Sequence, residues 1–178
     1  MSFEFPSFYN FPPFFTLQPI RDSLTKQLNL WSQFILDYCK HHTLFTLNIS
    51  QSSDTELFHN TSINRRLSPE AISQVFSHLI SQERAEWLDS NKETLLIFFK
   101  SPDEWASIVT DIITSSGNNN SICTLYELRQ GSLGEGTPLH NVPHEIILKA
   151  VDVLVNRGQA TLIEEETLDE YGVKFDIK

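Results

Sequence analysis

Four stretches of the chain place apolar residues at helical spacing. From Asp22 to His42, Leu24, Leu28, Trp31, Phe34, Ile35, Tyr38 and Cys39 recur at three- and four-residue steps, with Lys26, Gln27, Gln33 and Asp37 between them. That pattern predicts an amphipathic helix. A second helix starts at Ser68-Pro69-Glu70, with serine at the N-cap and proline at the first helical position, and carries Ile72, Val75, Phe76, Leu79 and Ile80 on one face. A third opens with the capping box Ser101-Pro102-Asp103-Glu104, presents Trp105, Ile108, Val109, Ile112 and Ile113, and ends at Gly117 and Asn118 to Asn120. The fourth runs from Pro143 to Arg157 with Ile147, Ala150, Val151, Leu154 and Val155 on one face, capped by Gly158.

Between these lie short strand candidates. Leu44 to Leu47 and Ile122 to Leu125 read as single strands, the latter followed by a helical turn through Tyr126 to Arg129. Ala85 to Leu88 with Thr94 to Phe99, and Ala160 to Glu165 with Gly172 to Ile177, read as hairpins. Ser50 to Glu56 and Gly131 to Thr137 read as loops.

The order of elements occurs twice. Phe45-Thr46-Leu47 corresponds to Cys123-Thr124-Leu125, and Leu67-Ser68-Pro69-Glu70 to Val142-Pro143-His144-Glu145. The apolar stripes match residue for residue, as do the hairpins, Ala85 with Ala160. Helix, strand, helix, helix and a two-stranded wing is the winged-helix module. The expected class is therefore mainly α with small β-hairpins (α+β): two tandem winged-helix domains, residues 20–100 and 101–178, preceded by an extended Pro/aromatic arm over residues 1–19.

The arm holds two copies of one short pattern, Phe5-Pro6-Ser7-Phe8-Tyr9 and Phe11-Pro12-Pro13-Phe14-Phe15. Proline fixes φ, removes a donor and biases its predecessor away from helix, which predicts an extended segment with rings splayed to either side. Such a segment loses little entropy on docking and offers aromatic anchors to a groove. The alternative is that the arm folds back and completes its own core, the usual fate of buried aromatics. The doubling favours docking, because one core cavity needs one plug.

Charge and chemistry narrow the function. A formal net charge of −10 argues against phosphate neutralisation as the main task, whether on duplex DNA or on an anionic membrane. A DNA-reading winged helix is the competing function, but the helix from Pro69 to Gln82 carries no lysine or arginine. In the other third helix Lys149 and Arg157 stand against Glu145 and Asp152, which leaves Arg65-Arg66 as the one basic cluster. Cys39 and Cys123 are too few for a disulfide framework and fit a reducing compartment. Neither a spanning apolar run nor a signal peptide is expected, and the sequons at Asn48, Asn60 and Asn119 then read as incidental. Cys39, His41 and His42, and separately His140 and His144, lack the number and spacing of a metal site. No nucleophile, zinc or phosphate-loop motif appears, so neither catalytic residue nor cofactor is expected. Cys123 reads as a small hydrophobe, and Glu164-Glu165-Glu166 with Asp169-Glu170 as a solvated wing tip.

Along its length the sequence resembles one family. The stretch Phe11-Pro12-Pro13-Phe14-Phe15-Thr16-Leu17-Gln18-Pro19, the segment Arg65-Arg66-Leu67-Ser68-Pro69-Glu70, Trp87-Leu88-Asp89, Thr124-Leu125-Tyr126-Glu127-Leu128 and Gly172-Val173-Lys174-Phe175 all resemble the small-subunit family of the ESCRT-II endosomal sorting complex. The resemblance implies a non-catalytic protein with two copies per complex, joined to two larger ESCRT-II subunits and recruited from the cytoplasm to the endosomal membrane. Its membrane contact would be indirect, through those partners. It implies that Pro12, Pro13, Phe14 and Phe15, with Phe8 and Tyr9 of the upstream copy, dock onto the larger subunits. It also implies that the second winged helix recruits an ESCRT-III subunit during sorting of ubiquitinated cargo into multivesicular bodies. The edge Ile122, Cys123, Thr124 and Leu125 is the expected contact there. The chain departs from a doubled Pro-Pro-x-aromatic pattern at Ser7, and continues past Phe175 with Asp176-Ile177-Lys178.

Overall fold

The structure is a computed structural model that describes all 178 residues. The chain divides into two compact units, Met1–Phe99 and Lys100–Lys178.

The first unit begins with two one-turn 3-10 helices, Ser7–Asn10 and Pro12–Phe15. These lead into α1 (Arg21–His42), β1 (Thr46–Asn48), the short α2 (Ile49–Ser52), a small hairpin of β2 (His59–Asn60) and β3 (Arg65–Arg66), then α3 (Pro69–Ser81) and the wing β4 (Ala85–Trp87) and β5 (Thr94–Ile97). Strand β5 pairs antiparallel with both β1 and β4, giving the order β1-β5-β4. Helix α3 is capped by Ser68, whose hydroxyl accepts from the Ala71 amide. Its buried residues Ile72, Val75, Phe76 and Leu79 pack towards α1. Trp31 and Phe76 both meet the ring of Phe58, at 5.8 and 6.1 Å between centroids. Each such fully buried large side chain contributes about 1.5–3 kcal/mol.

The second unit repeats the plan. Helix α4 (Pro102–Ser115) opens with the complete Ser101–Glu104 capping box. There follow β6 (Ile122–Thr124), α5 (Leu125–Arg129), α6 (His144–Asn156), β7 (Ala160–Ile163), a 3-10 turn at Leu168–Glu170, and β8 (Gly172–Phe175). Strand β8 lies between β6 and β7, again antiparallel, in the order β6-β8-β7. Helices α4 and α6 are the main packed pair, through Trp105, Val109 and Ile113 on one side and Ile147, Ala150, Val151 and Leu154 on the other. The loop from Gln130 to Val142 folds tightly against the end of α5. A Cβ on Gly134 would sit 2.6 Å from backbone atoms of Leu128 and Arg129, so only glycine permits that approach. The C-terminal residues are tied down as well: Asp176 N–H donates to the Gln159 carbonyl, and the Asn119 side chain bonds both the amide and the carbonyl of Ile177.

Three local expectations are corrected. The arm is not extended: Pro12 and Pro13 stand inside a 3-10 turn. Proline's fixed φ suits a 3-10 helix as well as an extended chain, and burial of neighbouring aromatics selects the turn. The segment from Ser50 includes a short helix, started by the Asn48 side chain accepting from the Gln51 amide. Val155, assigned to the buried stripe of α6, is 38% exposed, while Ile146 is buried instead.

Candidate functional site

The arm folds onto α1. Phe14 stacks on the Trp31 indole with centroids 4.2 Å apart and planes 10° from parallel, and Phe15 meets the same indole edge-on at 5.5 Å. The Phe14 carbonyl accepts from Trp31 Nε1 at 3.0 Å and from Gln27 Nε2 at 2.9 Å. Gln27 Nε2 also donates to the Thr16 carbonyl, and its Oε1 accepts the Gln18 amide, each at 2.9 Å. One buried carboxamide thus satisfies backbone groups on both sides of the turn, which is how an irregular segment is held without sheet or helix partners.

The upstream copy is latched in the same way. Tyr9 is buried, its phenol donates to the Glu56 carbonyl, and its own carbonyl accepts from Asn60 Nδ2 at 2.8 Å. Tyr38 donates to the Glu56 carboxylate at 3.1 Å. Burial first, and the Glu56 charge second, push the Tyr9 phenol up to about 12; burial, followed by the Glu56 hydrogen bond and charge, does the same for Tyr38.

Of the arm residues read as docking anchors, Phe14 and Phe15 are only 4% exposed and Tyr9 8%. In this conformation these rings are core, because the faces of Trp31 and Phe34 offer them a better environment than water does. The residues facing outward are others. Phe11 is 60% exposed and Pro13 is exposed; with half-buried Phe8 they wall a largely apolar groove whose other side is Ser23, Lys26 and Leu30 of α1. Pro12 is half-buried behind them. Phe11 and Leu30 escaped the reading of the sequence. Phe11 is the extended residue before the Pro12–Phe15 turn, so its ring leaves the chain before the turn carries Phe14 inward, a switch that the sequence does not mark.

In the second unit the expected contact edge divides by strand alternation. Cys123 and Leu125 are buried, at 2% and 0%, so their side chains face the core. Ile122 is 59% exposed and Thr124 half-buried. Thr124 also caps α5: its hydroxyl accepts the Glu127 amide while the Glu127 carboxylate accepts the Thr124 amide. This turn directs Tyr126, 51% exposed, to the surface. Thr124 and Tyr126 form one wall of a shallow groove, and Glu165, Glu166, Asp169 and Glu170 of the wing form the other. The wing tip read as solvated is exposed throughout, and its carboxylates face an aromatic across this groove.

The remaining candidates are structural. The outward face of α3 carries Glu70, Gln74 and Ser77, with no cation. Arg66 pairs with Asp54 at 2.8 Å. His41 Nε2 lies 3.1 Å from the Met1 carbonyl, and His144 is engaged with Asp169. Cys39 is fully buried and its thiol is pushed up to about 12 by that burial; burial, and then the Glu127 charge, also raise Cys123. Both thiols should therefore resist iodoacetamide at pH 8 in the native chain and react within minutes after denaturation, when each returns to about 8.5. Because the folded values are raised, this contribution to stability is present at neutral pH and lost as pH climbs above the ordinary thiol value, for Cys39 towards about 12. Alkylation of either cysteine in the fully native chain at pH 8 would contradict the burial.

Two winged helices, one with an aromatic arm folded on it and apolar rings turned outward, define a tandem winged-helix protein with surfaces open to partners. The comparisons make this more specific. Residues 8–143 match the model of the ESCRT-II complex subunit family. Vacuolar protein sorting-associated protein 25 of Arabidopsis thaliana is 38% identical over 175 residues, covering 98% of this chain and 97% of that one. Its counterpart from Danio rerio is 41% identical, with 98% and 99% covered. Among solved structures, subunit VPS25 of the endosomal trafficking complex ESCRT-II superposes with a TM-score of 0.81 at 26% identity, over 95% of this chain and 97% of that chain. A chain of the solved endosomal complex ESCRT-II (VPS22/VPS25/VPS36) gives a TM-score of 0.79 at 27% identity, over 97% of this chain and 98% of that chain. The chain belongs to the ESCRT-II complex subunit family, the non-catalytic components of an endosomal trafficking complex.

Proposed function

We propose that this chain is the small subunit of an ESCRT-II complex, present in two copies, that uses its arm to join two larger subunits and its second winged helix to recruit an ESCRT-III subunit. It would act from the cytoplasm at the endosomal membrane, in sorting ubiquitinated cargo into multivesicular bodies. No helix is long and apolar enough to cross a membrane, and in the proposed role the partners make the membrane contact. Support for the partners comes from the solved complex that the chain resembles, which holds VPS22 and VPS36 beside VPS25.

The observation that carries the reading is the folded arm. Phe11, Pro12, Pro13 and Phe8 offer the partner a formed apolar surface, while Phe14, Phe15 and Tyr9 beneath hold it in shape. A surface ordered before binding costs little conformational entropy on docking. In the second unit the groove between Tyr126 and the wing, with Ile122 alongside, is the proposed ESCRT-III contact; Cys123 and Leu125 support it from below.

The test is reconstitution with the two larger subunits. Phe11→Asp places a charge on the exposed ring position and should weaken incorporation by roughly thirtyfold or more, the usual scale for losing an interface aromatic. Melting of the free chain should not change, because Phe11 contributes little to the core. Full incorporation of the variant would remove the arm from the interface.

A further inference from the structure

Five carboxylates, Glu164, Glu165, Glu166, Asp169 and Glu170, crowd the tip of the second wing. Like charges at this density repel, and by themselves favour a splayed, mobile loop. The structure instead draws the tip onto the body of the unit at one residue. Asp169 Oδ1 lies 2.7 Å from His144 Nε2, at the start of α6, and 3.2 Å from Arg129 Nη1, at the end of α5. Arg129 is itself fixed: its side chain is 13% exposed and its Nε donates to the Val142 carbonyl. The Asn141 amide donates to the Arg129 carbonyl, so the loop that brings His144 into place is bound to the same residue.

The donor chemistry is restrictive. A carboxylate oxygen only accepts, so His144 Nε2 at 2.7 Å must carry a proton aimed at Asp169. Arg129 Nη1, 3.2 Å from the same Oδ1, donates to Asp169 also, so two donors converge on one carboxylate oxygen. The Asp169 carboxyl is accordingly held below the usual carboxylate range, by the His144 hydrogen bond first and by Arg129 after it. Around the anchor the tip is ordered by the Glu170 and Tyr171 amides, which donate to the Thr167 and Leu168 carbonyls, and by the Tyr171 carbonyl, which accepts the Leu125 amide at 2.9 Å.

Asp169 also lines the groove opposite Tyr126, whereas Arg129 and His144 do not. We infer that Arg129 and His144 form a clasp on Asp169 that fixes the wing of the second unit and so sets the shape, and the affinity, of the groove for its partner. The inference rests on the reading of that groove as the ESCRT-III contact. It makes Arg129 and His144 positioning residues, acting through the wing without meeting the partner.

The experiment uses the full chain and two readouts. In the free chain, amide exchange at Glu170 and Tyr171 should quicken about tenfold in His144→Ala and in Arg129→Gln, with melting of the whole chain little changed. His144→Gln, which keeps a neutral donor, should restore most of the protection. In titrations with the ESCRT-III subunit, His144→Ala and Arg129→Gln should weaken binding by about three- to tenfold, and His144→Gln should recover it. Tyr126→Ala serves as the control for the groove itself. Unchanged exchange in both clasp variants would overturn the clasp. So would unchanged affinity in them while Tyr126→Ala weakens binding. If Tyr126→Ala binds as well as wild type, the groove reading fails by itself, and the exchange data alone decide whether the clasp holds the wing. His144→Ala, at a side chain 23% exposed, is the variant least apt to disturb folding should Arg129→Gln unfold the unit.

Discussion

Phe14→Ala is expected to destabilise the free chain by about 3–5 kcal/mol, the range for truncating a buried aromatic. For a unit of this size that lowers its melting temperature by on the order of ten degrees or more. The physical reason is the ring's position on Trp31, at 4.2 Å and 4% exposed, beneath a turn that Gln27 and Trp31 hold by hydrogen bonds. Removing it opens a cavity against the indole and loosens the latch together. Phe11→Ala, three residues earlier, should leave melting within about half a kcal/mol of wild type. Circular dichroism of the two variants is a direct comparison between an inward and an outward ring of the same short segment. Equal melting temperatures would mean that the arm does not pack on α1 in solution.

The second large effect concerns the independence of the two units. Leu154 is fully buried in α6 and meets the apolar face of α4. Leu154→Asp buries a carboxylate without a partner, which costs several kcal/mol on the order of a small domain's whole stability. We expect the second unit to unfold and the first to remain native, with Trp31 still in its buried environment. Amide exchange resolved along the chain would show loss of protection confined to residues after Lys100. Global loss of protection would show that the first unit cannot stand without the second, and retained protection everywhere would mean that the α6 face is wrongly assigned.

The long helices and the duplication were legible because they depend on many residues acting in phase. A stripe such as Ile72, Val75, Phe76 and Leu79 buries one face whatever the details of packing, and the Ser101–Glu104 box announces its own helix start. The arm was legible in composition but not in shape. Its prolines fix φ, whereas the choice between turn and extended chain lies in ψ, and Trp31 and Gln27, distant in sequence, decide it. Gln27 itself reads as a surface residue by type and by its place between apolar positions, yet it is 6% exposed. A buried amide that serves irregular backbone leaves no periodic trace. At the second unit the segment was found but its sides were not assigned. Ile122 to Leu125 looks uniformly suited to a core, and only the observed register against β8, Ile122 opposite Lys174, shows which residues face out. The groove opposite joins residues of the α5 turn to a wing forty positions later, a pairing that neither stretch signals alone.

The three asparagines in sequons have a consequence for how this chain can be handled. Each uses its side-chain nitrogen inside the fold: Asn48 donates to Thr94 Oγ1, Asn60 to the Tyr9 carbonyl and to Asn10 Oδ1, and Asn119 to the Ile177 carbonyl. N-linked glycosylation would attach a sugar to those same nitrogens. At Asn60, 3% exposed, there is no room for one unless the aromatic arm is displaced. Production through a secretory host would then set the oligosaccharide and the arm in competition for a single atom, and glycan occupancy at Asn60 would count the molecules whose arm had not yet closed when the enzyme reached them.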